Sequence, residues 1–258
     1  MQEITLKDNL KIKLTSKVCL VIGGNSDLGK EIAYKFAKDG YSIHLVGRSI
    51  TEMERTAKDI NNRFEVNSEV FSLDIEDDNS VKNFLNSYNQ IPEVVIFAIG
   101  YLGNQKLAEE SIEEANRIIN INFTYQIPLI NHFANLMALQ KYGNIIIISS
   151  VAGLRGRGTN YFYGASKSAM IAIASGLRQR LSLSNVFVMS VLPGFIATKM
   201  TQGIESPKLF TGDVVKVAAN IFAAFKKKKP ILITPFIYRL LFLVINHLPE
   251  KIFIKLRK

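Results

Sequence analysis

Between Ser149 and Lys167 the chain carries a hydroxyl, a phenol and an amine whose spacing suits one proton-transfer reaction. Tyr163 and Lys167 stand four apart in Tyr163-Gly164-Ala165-Ser166-Lys167, and residues 163 to about 180 read as a helix, so both side chains project from one face. A phenol titrates near pH ~10 and exchanges its proton poorly at neutrality until a nearby cation stabilises the phenolate. Lys167 is placed to be that cation. Ser150 closes an apolar run, 144–149, that reads as a buried strand, and the distance from Ser150 to Tyr163 allows a loop to return to the same strand end. A tuned acid beside a hydroxyl that orients a carbonyl is a set for general acid–base catalysis. Because Tyr-x-x-x-Lys also arises by chance, its meaning depends on the elements that position it.

Those elements alternate. Short apolar runs at 18–22, 42–46, 69–73, 94–97, 144–148 and 186–192 are separated by stretches with helical apolar spacing at 28–38, 50–61, 80–88, 111–140, 163–182 and 212–225. Strands without polar alternation are buried on both faces, so the pattern predicts an α/β fold, a single Rossmann-type doubly wound parallel sheet with helices on both faces. A run at 231–233 supplies a last strand. At 258 residues, 48% apolar and 21% charged, and with no Pro/Gly/Ser-rich linker, the chain reads as one domain over 1–258. Residues 1–17 form an extension without an assigned place, and 236–258 an amphipathic helical tail.

Directly after the first strand comes Gly23-Gly24-Asn25-Ser26-Asp27-Leu28-Gly29, with the next helix starting inside it. Glycines at a strand-to-helix turn let backbone N–H groups approach a pyrophosphate, whose charge the helix N-terminus favours. The second strand ends Val46-Gly47-Arg48-Ser49, with no carboxylate for the ribose hydroxyls of NAD. Gly47 leaves space there and Arg48 can meet a 2′-phosphate, so NADP(H) is preferred, with NAD(H) as the other choice. Asp74, after the third strand, is placed either to reach an adenine or to cap its own loop.

With this glycine loop, Ser150, Tyr163 and Lys167 in order, the chain resembles the short-chain dehydrogenase/reductase family over nearly its whole length. Asn122, in Asn120-Ile121-Asn122-Phe123, falls where that family carries the asparagine of its Asn-Ser-Tyr-Lys tetrad. Pro193-Gly194 and then Thr198 match the family's turn near the nicotinamide. The resemblance implies that Tyr163 is the general acid/base and that Lys167 lowers its pKa and holds the nicotinamide ribose. It also implies that Ser150 binds the substrate oxygen and that Asn122 supports a relay water. Cofactor contacts are expected at Gly23, Asn25, Ser26, Asp27, Leu28, Gly29, Arg48, Asp74, Ala98, Gly100, Tyr163, Lys167, Pro193, Gly194 and Thr198. The chain departs from the pattern where Ile22 replaces a threonine, Asp27 replaces the middle glycine and Phe97-Ala98-Ile99-Gly100 replaces Asn-Asn-Ala-Gly.

These departures, with the loop 98–105, Ser150-Val151-Ala152-Gly153 and the segments Pro235-Phe236-Ile237-Tyr238-Arg239, His247-Leu248-Pro249 and Ile252-Phe253-Ile254-Lys255-Leu256, resemble the decaprenylphosphoryl-2-keto-ribose reductase group. That resemblance implies reduction of a 2-keto sugar on a polyprenyl phosphate, completing an epimerisation begun by a separate flavin oxidase. Other carbonyl substrates, such as a 3-oxoacyl thioester or a small ketone, keep the same chemistry. A dinucleotide-binding sensor or scaffold would not need the full set Asn122, Ser150, Tyr163 and Lys167.

The net charge of +10 gathers partly in Lys226 to Lys229 and in Lys251, Lys255, Arg257 and Lys258. No aromatic-interleaved basic face or nucleic-acid motif accompanies it, so a nucleic-acid partner is not expected. Basic residues flanking an apolar tail suit an anionic membrane surface instead. Residues 236–248 are interrupted by Arg239, Asn246 and His247 and are too few to span a bilayer, which needs ~20 apolar residues. The expectation is an interfacial helix with Leu240, Leu241, Leu243 and Val244 beside lipid, or alternatively a helix that covers the sheet edge or packs in a homo-oligomer. One cysteine, Cys19, excludes an internal disulfide, and the first residues lack a secretory pattern, so a cytoplasmic place, peripheral on the inner face of the membrane, is expected. His44, His132 and His247 lack ligand spacing, and no metal is expected.

Overall fold

A computed structural model of the chain describes residues 3–5, 11–14, 17–204 and 206–256; the extension's remaining residues and the tail's Arg257 and Lys258 lie outside them. In chain order the elements are β1 (Glu3–Thr5), β2 (Lys11–Leu14), β3 (Val18–Ile22), α1 (Asp27–Lys38), β4 (Ser42–Gly47), α2 (Ile50–Phe64), β5 (Ser68–Ser72), α3 (Asp78–Ser87), β6 (Gln90–Ile91) and β7 (Val94–Phe97). There follow α4 (Gln105–Glu110), α5 (Ile112–Asn122), α6 (Ile127–Gln140), β8 (Gly143–Ile148), α7 (Tyr161–Leu181), β9 (Val186–Pro193), α8 (Val214–Lys226), β10 (Ile231–Thr234), α9 (Phe236–His247) and α10 (Glu250–Phe253).

Seven strands form one parallel sheet in the order β10-β9-β8-β7-β3-β4-β5. The chain runs outward from β3 to β5, returns to β7 on the other side of β3, and continues to β10, so the order reverses between β3 and β7. Strand periodicity explains the two cores. Leu20 and Ile22 face one layer with Leu129, Phe133, Met170 and Ala174, whereas Cys19 and Val21 face the other with Ile32, Phe36, Met53 and Ile221. Cys19 is fully buried and is a small core residue, as its place in the first strand suggests.

Three departures from the sequence reading matter. First, β1 pairs antiparallel with β2, and β2 pairs with the short β6, giving the extension a small sheet of its own. Second, the single helix expected over 111–140 is two, α5 and α6, separated by a short 3-10 turn after Phe123. Pro128, in the first turn of α6, cannot continue a preceding helix, and the Asn122 side chain at the end of α5 donates to Ile118 O at 2.8 Å and Tyr101 O at 2.6 Å while its Oδ1 accepts from Tyr101 N at 3.1 Å. These bonds tie the end of α5 to the loop after β7. Third, the tail is two helices, broken where Pro249 follows Leu248.

Of α9, Tyr238 and Phe242 are buried with Val151 and Leu192, and Ile237, Leu241 and Ile245 pack beside them. Leu241, expected beside lipid, therefore belongs to the packed face, because its position follows Tyr238 around the helix. Phe236, Leu240, Leu243 and Val244 stay exposed on the other face, as do Ile252, Ile254 and Leu256. Among the described residues no helix is long and apolar enough to cross a membrane.

Candidate active site

The sheet reversal creates a crevice at the carboxyl ends of β3 and β7, where a doubly wound sheet binds its ligand. Gly23 lines it with φ +99°, and a Cβ there would lie 2.7 Å from the Ala98 carbonyl carbon and oxygen. Only glycine permits both that backbone conformation and this approach. Ser26 caps α1: its Oγ accepts from Gly29 N at 3.0 Å and donates to Gly23 O at 2.7 Å. Leu28 packs into the core beneath this turn. The result is a glycine turn at a helix N-terminus, which suits a pyrophosphate.

Two expected cofactor contacts are spent inside the protein. Asp27 Oδ2 accepts from Lys199 N at 2.6 Å, linking the glycine turn to the loop after β9. Asn25 donates to Ser49 O at 2.9 Å and accepts from Ser49 N at 3.1 Å. The space that Gly47 was expected to leave for a ligand is filled by this same amide: a Cβ on Gly47 would sit 2.2 Å from Asn25 Oδ1. Arg48 remains open to solvent, with a loose ion pair of 3.5 Å to Glu76, which also binds Arg117. Asp74 caps its own loop, accepting from Glu76 N at 3.0 Å, while its backbone N–H donates to Ser80 Oγ.

Ser150, Tyr163, Lys167 and Asn122 converge at the carboxyl ends of β7 and β8. Ser149, at the end of β8, donates to Lys167 O at 2.7 Å and pins α7 to the strand. Gly153 permits the loop after Ser150 to lie on that helix: a Cβ there would meet Ser168 N at 2.6 Å. Ser150 Oγ accepts from Ala152 N at 3.1 Å and donates to Pro193 O at 3.3 Å, and it lies near enough to the Tyr163 phenol to lower its pKa. Lys167 is 2% exposed, its Nζ 3.5 Å from Ile99 O and 5.5 Å from the centre of the Tyr163 ring. An ideal Cβ on Gly100 would be 3.5 Å from Asn122 Oδ1 and 3.6 Å from Lys167 Nζ, so the loop after β7 meets the tetrad positions at a residue without a side chain.

Burial raises the Tyr163 pKa to about 12, and the groups that pull it down are Ser150 and then Arg157. Burial lowers the Lys167 pKa to about 8. Besides Lys167, whose Nζ is near the ring, a second cation bears on the phenol: Arg157, which was not among the residues singled out from the sequence, lowers the Tyr163 pKa. The Asn122 side chain accepts from Tyr101 N and donates to Tyr101 O and Ile118 O. Its visible work is to end α5 and hold the loop 99–101.

Beyond Pro193 and Gly194, whose N–H donates to Thr234 O, the chain turns through Thr198 and Thr201, which cap each other. A cleft of about 450 Å³ opens there, lined by Phe195, Ala197, Thr198, Thr201, Gln202 and Ile204. None of the four tetrad positions lines it. The tail is latched to the catalytic loop by Arg155, which donates to Ile245 O and to Leu248 O (2.8 Å), pairs with Glu250 at 2.8 Å, and lies over the Phe253 ring at 3.9 Å. Among the described residues no cluster of three His, Cys, Asp or Glu side chains is arranged to hold a metal ion.

The family profile of short chain dehydrogenases matches residues 17–209. An uncharacterized oxidoreductase of Staphylococcus epidermidis is 30% identical over 193 residues, covering 75% of this chain and 84% of that protein. A 3-oxoacyl-[acyl-carrier-protein] reductase of Aquifex aeolicus is 28% identical, covering 74% of this chain and 79% of that one. Among solved structures, a short-chain dehydrogenase from Sphingobium yanoikuyae in complex with NADPH superposes with a TM-score of 0.79 at 20% identity, covering 91% of this chain and 97% of that chain. Fold, glycine turn and sequence likeness agree: this chain belongs to the short-chain dehydrogenase family of oxidoreductases.

Proposed function

We propose that the protein is an NADP(H)-preferring carbonyl reductase that also accepts NAD(H), and that its substrate is a 2-keto sugar carried on a lipid phosphate. The observation that carries the reaction is the convergence of Ser150, Tyr163 and Lys167 on one strand end beside the glycine turn. The residues present fit a dinucleotide. Gly23, Ser26 and Gly29 form the pyrophosphate turn, Arg48 is open for a 2′-phosphate, and the Lys167 ammonium has a single backbone oxygen near it. A bound nicotinamide supplies the hydride. Ser150 orients the carbonyl oxygen, and Tyr163, whose high pKa keeps it protonated at neutrality, gives that oxygen its proton. Lys167 then stabilises the phenolate.

The lipid-linked sugar rests on the resemblance in the loop 98–105 and the tail, and on one physical feature. Leu240, Leu243 and Val244 of α9 and Ile252, Ile254 and Leu256 beyond it are exposed, with Arg239, Lys251 and Lys255 among them. An apolar face with basic flanks suits the surface of an anionic membrane, and α9 packs directly on the loop after Ser150. A peripheral place on the inner membrane face and a flavin oxidase partner belong to this same reading. The second reading, a 3-oxoacyl thioester reductase, is favoured by the likeness to the Aquifex enzyme. The test is a panel of polyprenyl-phosphate keto sugars and acyl ketones assayed separately with NADH and NADPH. Preference for the keto sugar supports the first reading, and preference for the acyl ketone replaces it with the second.

A further inference from the structure

The loop between Ser150 and Tyr163 holds a charge with no ion-pair partner among the described residues. Arg157 is partly buried, its Nε is shielded from solvent with no hydrogen-bond partner, and it forms no ion pair among the described residues. Desolvation of a cation costs free energy that a carboxylate partner ordinarily offsets. The neighbouring arginine of the same loop shows the contrast: Arg155 is fully engaged by Ile245, Leu248, Glu250 and Phe253.

The position of Arg157 gives the unpaired charge a use. Its field reaches Tyr163 on one side and Tyr238 of α9 on the other, lowering the pKa of both phenols, while its own pKa is lowered by burial. Tyr238 in turn donates to Phe210 O, on the loop that follows the Thr198–Thr201 turn. One turn further along, Asn160, whose N–H donates to Arg157 O, presents a buried Oδ1 that also lacks a partner. The loop therefore brings a guanidinium with an unsatisfied Nε and an unsatisfied amide oxygen to the residues just ahead of the phenol that handles the proton. A guanidinium presents five donors in a plane suited to paired oxyanion oxygens, and an amide oxygen accepts from a hydroxyl.

We propose that Arg157 receives an oxyanion of the carbonyl substrate, a phosphate ester in the first instance, and thereby sets where the carbonyl lies against Tyr163. This deepens the preceding reading and rests on it for the identity of the reacting group. Arg157 is a binding and positioning residue, and the substrate class that follows is an anionic ketone bearing hydroxyl groups.

The experiment is a calorimetric titration of phenyl phosphate into protein saturated with NADP+, for the wild type, Arg157→Gln and Arg157→Lys. Wild type should bind, Arg157→Gln should bind at least ~10-fold more weakly, and Arg157→Lys, which keeps the charge and loses the fork, should fall between. Equal binding by wild type and Arg157→Gln, or no binding by wild type at millimolar phenyl phosphate, would overturn the proposal. Arg157→Lys decides the question if Arg157→Gln does not fold: affinity equal to wild type counts against the proposal.

Thermal unfolding separates this role from a structural one, since removing an unpaired desolvated charge should leave the melting temperature equal or higher. The two sources of phosphate are told apart by titrating NADPH and NADH. Unchanged affinity for both supports a substrate site, while selective loss of NADPH binding in Arg157→Gln would place the residue on the cofactor and overturn the proposal. Because the titration needs no turnover, a wild-type protein that binds the phosphate and reduces no ketone would sink the reductase reading alone.

Discussion

Replacing Arg155 by alanine tests whether the C-terminal helices are part of the catalytic architecture. The guanidinium donates to two carbonyl oxygens at the end of α9 and lies over Phe253 at 3.9 Å. A hydrogen bond from a charged donor is worth ~1.5–3 kcal/mol, and the ring contact adds ~0.5–1 kcal/mol. The pair with Glu250, whose side chain is 71% exposed, adds next to nothing. Water re-solvates part of what is lost, so about 3 kcal/mol is expected, or a fall in melting temperature of ~6–12 °C for a chain of this size. Differential scanning calorimetry measures the shift, and limited trypsin digestion at Arg239 and Lys251 reports detachment of the tail directly. A melting temperature within about 1 °C of wild type, with no new cleavage, would refute the latch and the energetic reasoning.

Burial holds the Lys167 amine at about 8, below its ordinary 10.5, so the unfolded chain binds this proton more tightly than the folded one. Its cost is fully present below pH 8 and is relieved as pH rises toward 10.5. Lys167→Met should therefore raise stability at pH 7 by on the order of 3 kcal/mol while abolishing reduction, and a lower melting temperature would contradict this. Arg48→Ala should weaken NADPH roughly fivefold to tenfold and leave NADH unchanged, as measured by fluorescence titration; an equal effect on both would remove Arg48 from cofactor choice. Exchanging the exposed Leu240, Leu243 and Val244 for serine should reduce sedimentation with anionic liposomes without lowering the melting temperature, since none belongs to the packed face. Unchanged sedimentation would count against membrane contact.

Much of the sheet was legible because each parallel strand is a short apolar run bounded by turn residues, as at 18–22 and 94–97, where the expected bounds match β3 and β7. The ends of α5 and α6 were missed because apolar spacing continues through 111–140, although Pro128 marks a break in the sequence, and the bonds of Asn122 to Tyr101 that fix the end of α5 are long-range. The glycine turn was readable as a backbone device, yet the fates of Asn25 and Asp27 depend on Ser49 and Lys199, which the fold alone brings near. Arg157 escaped notice for a similar reason. In Arg155-Gly156-Arg157-Gly158 it looks like an ordinary solvated loop residue, and the nearby Tyr238 comes from a helix some eighty residues later. Leu241 was placed on the wrong face because a tail that is mostly apolar carries little signal as to which stripe packs inward.

The central claim is that Tyr163 is the proton donor in a carbonyl reduction. Single-turnover oxidation of NADPH by a reducible ketone, followed by stopped-flow fluorescence for wild type and Tyr163→Phe, addresses it most directly. Tyr163→Phe should lose ~10²–10⁴ in the rate of the chemical step, with NADPH affinity within about twofold of wild type. A Tyr163→Phe protein that turns over at the wild-type rate would contradict the claim.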